Sequence, residues 1–252
     1  MGIELYNDGK HICVAFRDLV ADEAVQANQF LIFDSDHAAL IDPGGELTYT
    51  DLYLGIAGYT NVKELDYVIA SHQDPDIVAS LNKWLVGTNA KMVVPQLWER
   101  FIPHFTRPGK LAGRVIGMPD AGTNLQLGNI QLKALPAHFL HAEGNFQFYD
   151  PKSKILFSGD LGANLCPKED LDKPAKKLSE VVEYMEGFHR RYMNSNKVCR
   201  LWANMASQLD ISMIVPQHGR ALKGKAIREF IDWISKLQCG IDLMTQDNYR
   251  IP

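Results

Sequence analysis

Between Leu65 and Asp76 the chain passes from an apolar, β-branched run, Leu65-Asp66-Tyr67-Val68-Ile69, into Ala70-Ser71-His72-Gln73-Asp74-Pro75-Asp76. The run has the character of a buried strand. Pro75 fixes its own φ, lacks a backbone donor and turns Asp74 away from helical geometry, so a rigid turn follows the strand. An imidazole and two carboxylates are thereby presented at alternate positions, and helix formers resume from Ile77 to Leu85. Groups of this kind repel one another unless a cation or a set of donors neutralises them. A helix N-cap at Asp74 or Asp76, with His72 as a surface neighbour, is the plainer account of the same residues. The rest of the chain decides between the two.

The arrangement recurs three times. His138 and His141 follow the run Ile130–Leu135, Asp160 follows Ile155-Leu156-Phe157, and His218 follows Met213-Ile214-Val215, in each case beside Gly or Pro. The carboxyl edge of an α/β sheet is where loops converge over one crevice and where ligands bind. Four strand ends carrying imidazoles and carboxylates, with no cysteine among them, suit iron, manganese or zinc rather than a thiolate site. The set also exceeds the needs of one tetrahedral ion. Its composition favours two ions about 3.5–4 Å apart with a bridging carboxylate. His11, His37, His104 and His189 have no such setting and read as surface or packing residues.

Short apolar runs at 12–16, 28–33, 38–42, 91–95, 145–149 and 154–158 read as further strands, the third closed by the turn Pro43-Gly44-Gly45. Helices are expected near 50–56, 96–101 and 226–237, long helical stretches from Lys168 to about Leu209, and loop from Gly109 to Gly128. Strands dominate early and βα alternation comes late, which points to an α/β chain with two sheets sandwiched between helices, in one domain spanning residues 1–252. The net charge of −4 gives no basic footprint for nucleic acid. No apolar run reaches the ~18 residues a membrane span needs, and no leader is evident, so a membrane is not an expected partner. Cys13, Cys166, Cys199 and Cys239 are scattered without a C-x-x-C pair, and read as reduced, buried thiols of a cytoplasmic protein.

These residues, in this order, resemble the metallo-β-lactamase superfamily, whose fold is a four-layer αββα sandwich with a dinuclear site on the sheet edges. Hydrolytic members mostly carry H-x-H-x-D-H, whereas this chain has His72-Gln73-Asp74-Pro75-Asp76-Ile77. A carboxylate at the third position is similar to the flavodiiron branch, with its H-x-E-x-D-H motif. The likeness is greatest to oxygen-binding diiron proteins that lack a flavodoxin domain. The resemblance implies two iron ions with an oxo or hydroxo bridge, zinc or manganese being the alternatives. It implies His72, Asp74 and His141 on the first ion, Asp76 and His218 on the second, and Asp160 between them. The family's spacing before the bridging Asp selects His141 over His138. Two departures stand out: Asp74 is one methylene shorter than the usual Glu, and Ile77 replaces the motif's last His, leaving the second ion more open.

The expected function is binding or reduction of dioxygen, or of nitric oxide, by an oxidoreductase or an oxygen sensor. An external redox partner or a signalling protein, and a homodimer, belong to the same expectation. Tyr192 is a candidate to line the pocket as proton donor or radical quencher, or else packs as an ordinary helical tyrosine. The competing class is a dinuclear metallohydrolase acting on a phosphodiester such as a cyclic dinucleotide, with Arg190, Arg191 and Arg220 as phosphate ligands.

Overall fold

The computed structural model describes residues 2–20 and 24–252. The chain begins with a meander of β1 (Ile3–Asn7), β2 (His11–Phe16), β3 (Gln29–Asp34) and β4 (His37–Ile41), then runs through α1 (Tyr49–Ala57), β5 (Tyr67–Ile69), the short helices α2 (Pro75–Val78) and α3 (Leu81–Gly87), β6 (Lys91–Pro95) and β7 (Val115–Met118). There follow β8 (Thr123–Leu127), β9 (Ile130–Pro136), β10 (Phe146–Asp150), β11 (Ile155–Phe157), α4 (Val182–Tyr192), α5 (Asn196–Ala206), β12 (Met213–Val215), β13 (Leu222–Lys223) and α6 (Lys225–Lys236).

Among the described residues the strands form two sheets, ordered β1-β2-β3-β4-β5-β6-β7 and β13-β12-β11-β10-β9-β8. The first is antiparallel through β4 and parallel from β4 to β7. In the second, β11 and β12 are parallel and the other neighbours antiparallel. One apolar cluster fills the space between the sheets, with Phe30 and Ile32 of the first meeting Leu132, Phe148 and Phe157 of the second. A second cluster packs α1 and α3 on the outer face of the first sheet through Leu52, Ile56, Leu81 and Trp84. A third packs α4, α5 and α6 on the other side through Met185, Trp202, Phe230 and Ile234. The layers are therefore α, β, β, α, as the resemblance implies. The strand β9 shows why: Ile130, Leu132 and Ala134 are buried while Gln131 and Lys133 face solvent, the period of a strand covered on one face. The three residues of β5 lie mid-sheet between parallel neighbours, and an unbroken apolar run suits that position.

Four expectations change. Val115–Met118 and Thr123–Leu127 are strands within the segment expected as loop, the latter closing a hairpin on β9 through Gly128 and Asn129. The α-helix expected from Lys168 begins only at Val182; after a 3-10 turn at Lys168–Asp170, Pro174 breaks the run and Ala175 bridges to Leu222 instead. The helix expected over 96–101 is a 3-10 helix, Gln96–Phe105. The helix expected from Ile77 to Leu85 is interrupted at Ser80, whose hydroxyl donates to the Gly44 carbonyl (2.6 Å) and accepts from the Trp84 indole (3.1 Å).

At the edge away from the candidate ligands, His11 is fully buried between the sheets. Its Nδ1 lies 3.0 Å from Asp34 Oδ1 of the first sheet and its Nε2 2.7 Å from Asp150 Oδ2 of the second. Burial alone would lower its pKa; the flanking Asp150 and Asp34 carboxylates outweigh that and raise it. An imidazolium between two carboxylates is a polar bridge from sheet to sheet. Its contribution is complete below the ordinary histidine value of 6.5 and is lost as pH rises through the raised folded value. Replacing His11 by Ala should destabilise the protein by about 3–5 kcal/mol near neutral pH, by leaving two buried carboxylates without their counter-charge. In urea unfolding followed across pH, the gap between wild type and variant should narrow above pH 6.5; a gap that is constant in pH would show that the bridge carries no proton.

Candidate metal centre

The predicted residues converge on the carboxyl edge of both sheets. His72 follows β5; Asp74 occupies the N-cap position of α2, its carboxylate making no cap hydrogen bond, and Asp76 lies in the first turn. His141 lies in the loop after β9, with its backbone in the left-handed region (φ +53°). Asp160 follows β11 and His218 follows β12. The turn after His218 can be built only with glycine: Gly219 has φ +82°, and a Cβ there would stand 1.8 Å from the Asn164 carbonyl oxygen.

Asp160 is the centre of the arrangement. Its Oδ2 lies 3.1 Å from His141 Nε2 and 3.9 Å from His72 Nε2, while its Oδ1 lies 3.3 Å from His218 Nε2. Asp74 Oδ2 closes the first group, 3.1 Å from His141 Nε2 and 3.8 Å from His72 Nε2. Asp76 Oδ2 closes the second, 3.4 Å from His218 Nε2. One carboxylate thus has an oxygen toward each of two imidazole-and-carboxylate sets.

In His72 and His218 the Nδ1 atom is occupied, so that Nε2 faces inward. His72 Nδ1 is 2.9 Å from the Ser71 hydroxyl, and His218 Nδ1 donates to the Gln26 carbonyl at 2.6 Å. A ring that donates through Nδ1 presents a lone pair at Nε2 when neutral, the form that binds metal. His72 Nε2 and Asp160 Oδ1 are both buried without a hydrogen-bond partner in the protein. Buried polar atoms are ordinarily satisfied. The pair of orphaned atoms facing the cluster, with a donor set of N and O only, fits first-row metal ions.

The electrostatics agree. Burial would raise Asp160, but His218, His72 and His141 around it hold its carboxyl well below the usual range. Burial would lower His218, yet Asp160 beside it brings its pKa up to about 9. His141 is likewise raised by Asp74 and Asp160 against its burial. Asp74 is lowered, chiefly by its bond to His141, whereas burial raises Asp76. Without an ion, protons on His141 and His218 offset the neighbouring carboxylates.

Two further residues support the cluster, the first of them not expected from the sequence. Asp42, fully buried at φ +55°, accepts the Ser71 backbone N–H at 2.9 Å and so holds the residue that orients His72; its burial raises its pKa to about 6. In the sequence it stands at a strand end on the same edge, but beside Pro43-Gly44-Gly45 it reads as turn chemistry. His189 is a packing histidine, as expected, with a specific position: its Nε2 accepts the Gly162 N–H at 2.9 Å and its Nδ1 donates to the Met185 carbonyl at 2.7 Å, bracing the loop after Asp160. Full burial lowers its pKa to about 4, so it is neutral.

His138 lies apart, with Nε2 2.8 Å from the Asp120 carbonyl and its ring against Phe146. Ile77 is fully buried in the apolar cluster under α1 and α3. Tyr192, the last residue of α4, stacks on Phe188 and meets the His141 ring edge-on at 5.8 Å. It therefore lines the cavity. That cavity, about 520 Å³, has Asp74, Asp76, His141, Asp160 and His218 at its base, with Val25 and Leu47 among its apolar walls. Arg220 is not offered to a phosphate: it is 7% exposed, with Nε donating to the Lys173 carbonyl and Nη2 to Glu180. Arg190 lies beside Glu186.

A structure described as the peroxy diiron species of the chemotaxis sensor ODP is 35% identical, with a TM-score of 0.87, and each chain covers 99% of the other. The apo state of the chemotaxis sensor ODP from T. denticola matches at 34% identity over the same extents. A flavodiiron protein from Thermotoga maritima shares the fold at 20% identity, with a TM-score of 0.73 over 93% of this chain and 60% of its own. Diflavin flavoprotein A 1 of Synechocystis sp. is 26% identical over 216 residues, 82% of this chain. The chain spans about a third to a half of the length of the curated relatives it matches. Residues 25–219 match the family model described as ODP family beta lactamase. With its αββα layers and a histidine–carboxylate cluster on the sheet edge, this chain belongs to the ODP family of β-lactamase-like proteins.

Proposed function

We propose that this chain is a dinuclear non-haem iron protein that binds dioxygen, as the oxygen-responsive element of a sensor or oxidoreductase. The observation that carries the reading is Asp160, with one oxygen toward the His72–Asp74–His141 set and the other toward His218 and Asp76. In this reading His72, Asp74 and His141 hold one iron, Asp76 and His218 the other, and Asp160 bridges. The diiron description of a 35% identical structure supports the choice of metal. Two ferrous ions supply the electrons that dioxygen binding requires.

The chain's own residues do the rest. Ser71 and the Gln26 carbonyl fix the ring orientations of His72 and His218. Asp76 and His218 leave the second position with fewer protein ligands, and Ile77 adds none, so a small molecule has room there. Phe188, Val25 and Leu47 make the approach apolar, which suits a neutral diatomic gas. Tyr192 stands at the mouth as an O–H donor toward the bound ligand. Electrons for turnover, or readout of the metal state, come from a second protein, and a homodimer in the cytoplasm is part of the same reading.

Iron content per chain, on protein prepared without oxygen, tests this directly. Two irons and a visible absorption band on exposure to air are expected; two zinc or manganese ions and no response to oxygen would sink the reading. Replacing Asp160 by Ala should empty both positions and His218→Ala mainly one, whereas His138→Ala should leave iron near normal. Tyr192→Phe should keep both irons and shorten the lifetime of the air-induced band about fivefold, the worth of one hydrogen bond of about 1 kcal/mol. An unchanged lifetime would remove Tyr192 from the site.

Metal binding must also expel the His218 proton, which the ion-free site retains up to about pH 9. Ferrous affinity should therefore rise about tenfold per pH unit per displaced proton between pH 6.5 and 9. Calorimetry in two buffers of different ionisation enthalpy counts the protons. His218→Ala should release about one fewer; an equal count would place that proton elsewhere.

A further inference from the structure

Cys199 and Cys239 stand 40 positions apart in sequence, yet their sulfurs are 3.8 Å from each other and neither residue is exposed. Cys199 lies on α5, and Cys239 begins the turn Gly240–Leu243 that follows α6. A disulfide requires about 2.05 Å between sulfurs, so the thiols need approach by only about 2 Å, within reach of side-chain rotation. Cys13 and Cys166 lie in different surroundings, the first fully buried beside Asp150 and the second half-buried.

The pair is asymmetric. Either thiol can donate to the other; the contact with Cys199 and the Arg190 charge lower Cys239, while the contact with Cys239 and burial raise Cys199. The backbone around the pair is tightly fixed. Gly240 has φ +52°, and a Cβ on it would stand 2.1 Å from the Asn194 carbonyl oxygen. That oxygen accepts from Ile241 N–H at 2.8 Å, and the Asp242 carboxylate accepts from the backbone N–H groups of Asn196 (2.6 Å) and Cys239 (3.2 Å). Asn194 in turn donates to the Phe139 carbonyl at 3.1 Å, two residues before His141. The corner between α4 and α5 is thus held by the thiol segment on one side and the His141 loop on the other.

We propose that Cys199 and Cys239 form a reversible redox pair, closed to a disulfide by hydrogen peroxide, that stiffens the corner carrying Tyr192 and abutting the His141 loop. In the first step the Cys239 thiolate attacks one peroxide oxygen; the O–O bond breaks, hydroxide leaves and takes up the proton that Cys239 released, and Cys239 becomes a sulfenic acid. In the second, the Cys199 sulfur gives up its proton and attacks the Cys239 sulfur; the S–S bond forms and water leaves. Two thiols lose two electrons, and one peroxide is reduced to two waters. Both sulfurs are buried, which slows every oxidant, a bulky disulfide more than a small peroxide. A dithiol reverses the step by exchange once the buried pair is opened in denaturant.

The test is peptide mapping of the full-length, metal-loaded chain after hydrogen peroxide, quenching with catalase and alkylation in denaturant. The expected result is one Cys199–Cys239 cross-linked peptide, loss of two of the four thiols, and recovery of both with dithiothreitol. Hydrogen exchange should slow at least threefold at residues 193–196 and 239–242 in the oxidised form. The Cys239→Ser chain should retain an alkylatable Cys199 under the same dose. Four thiols surviving, sulfinic acid at either residue in place of a cross-link, or a bond to Cys13, to Cys166 or to a second chain would overturn the proposal. So would a cross-link that leaves exchange at the corner unchanged.

Discussion

The carboxylate of Asp160 is the interaction on which this structure turns. It is nearly buried, negatively charged and surrounded by three imidazoles drawn from both sheets. A lone carboxylate in that position would be costly, and its neighbours exist in the geometry they do because they offset that cost. His72 comes from the first sheet, His141 and His218 from the second, so the charge balance holds together chain segments far apart in sequence. Asp42, His189 and the Gln26 carbonyl then act one step out, each fixing the loop or ring that meets Asp160 or its partners.

The environment above this base is of opposite character. Phe188, Val25 and Leu47 make much of the wall apolar, with the Tyr192 hydroxyl, Glu46 and Thr48 as its polar members. Charges beneath an apolar cover are poorly screened, so each interaction at the base is stronger than the same contact in water. Such a site has little to attract a large anionic substrate, the more so because the Arg220 guanidinium is held by Lys173 and Glu180 inside the protein.

Much of this was legible in the sequence, for a physical reason. Buried parallel strands are continuous apolar runs, and the residues at their ends are marked by Gly and Pro, so His72, Asp160 and His218 stood out against quiet surroundings. What was hidden was whatever shares its local signal with something commoner. Asp42 looks like part of a turn. Val115–Met118 and Thr123–Leu127 lie among the glycines that also make loops. The segment from Lys168 to Val181 is rich in helix formers, but its conformation is decided by Pro174 and by a bridge to Leu222, a partner that no local pattern reveals. His11 depends on two aspartates 23 and 139 positions away, and Cys199 on a residue 40 positions away. Contacts of that range are set by topology, which binary patterning constrains only as a class.

The division of the ligand set between two sheets has a consequence for the chain as a polymer. An ion held between Asp74 and His141, or between Asp76 and His218, ties together segments separated by several strands. It acts as a removable crosslink, and restricts the unfolded chain much as a covalent staple would, with an entropic effect that grows only slowly with the length enclosed. At the opposite edge His11 already clasps the sheets through Asp34 and Asp150. With an ion bound there, the sandwich would be clasped at both margins, by the buried imidazole–carboxylate bridge at one and by the cation at the other, and emptying the site would release only one of them.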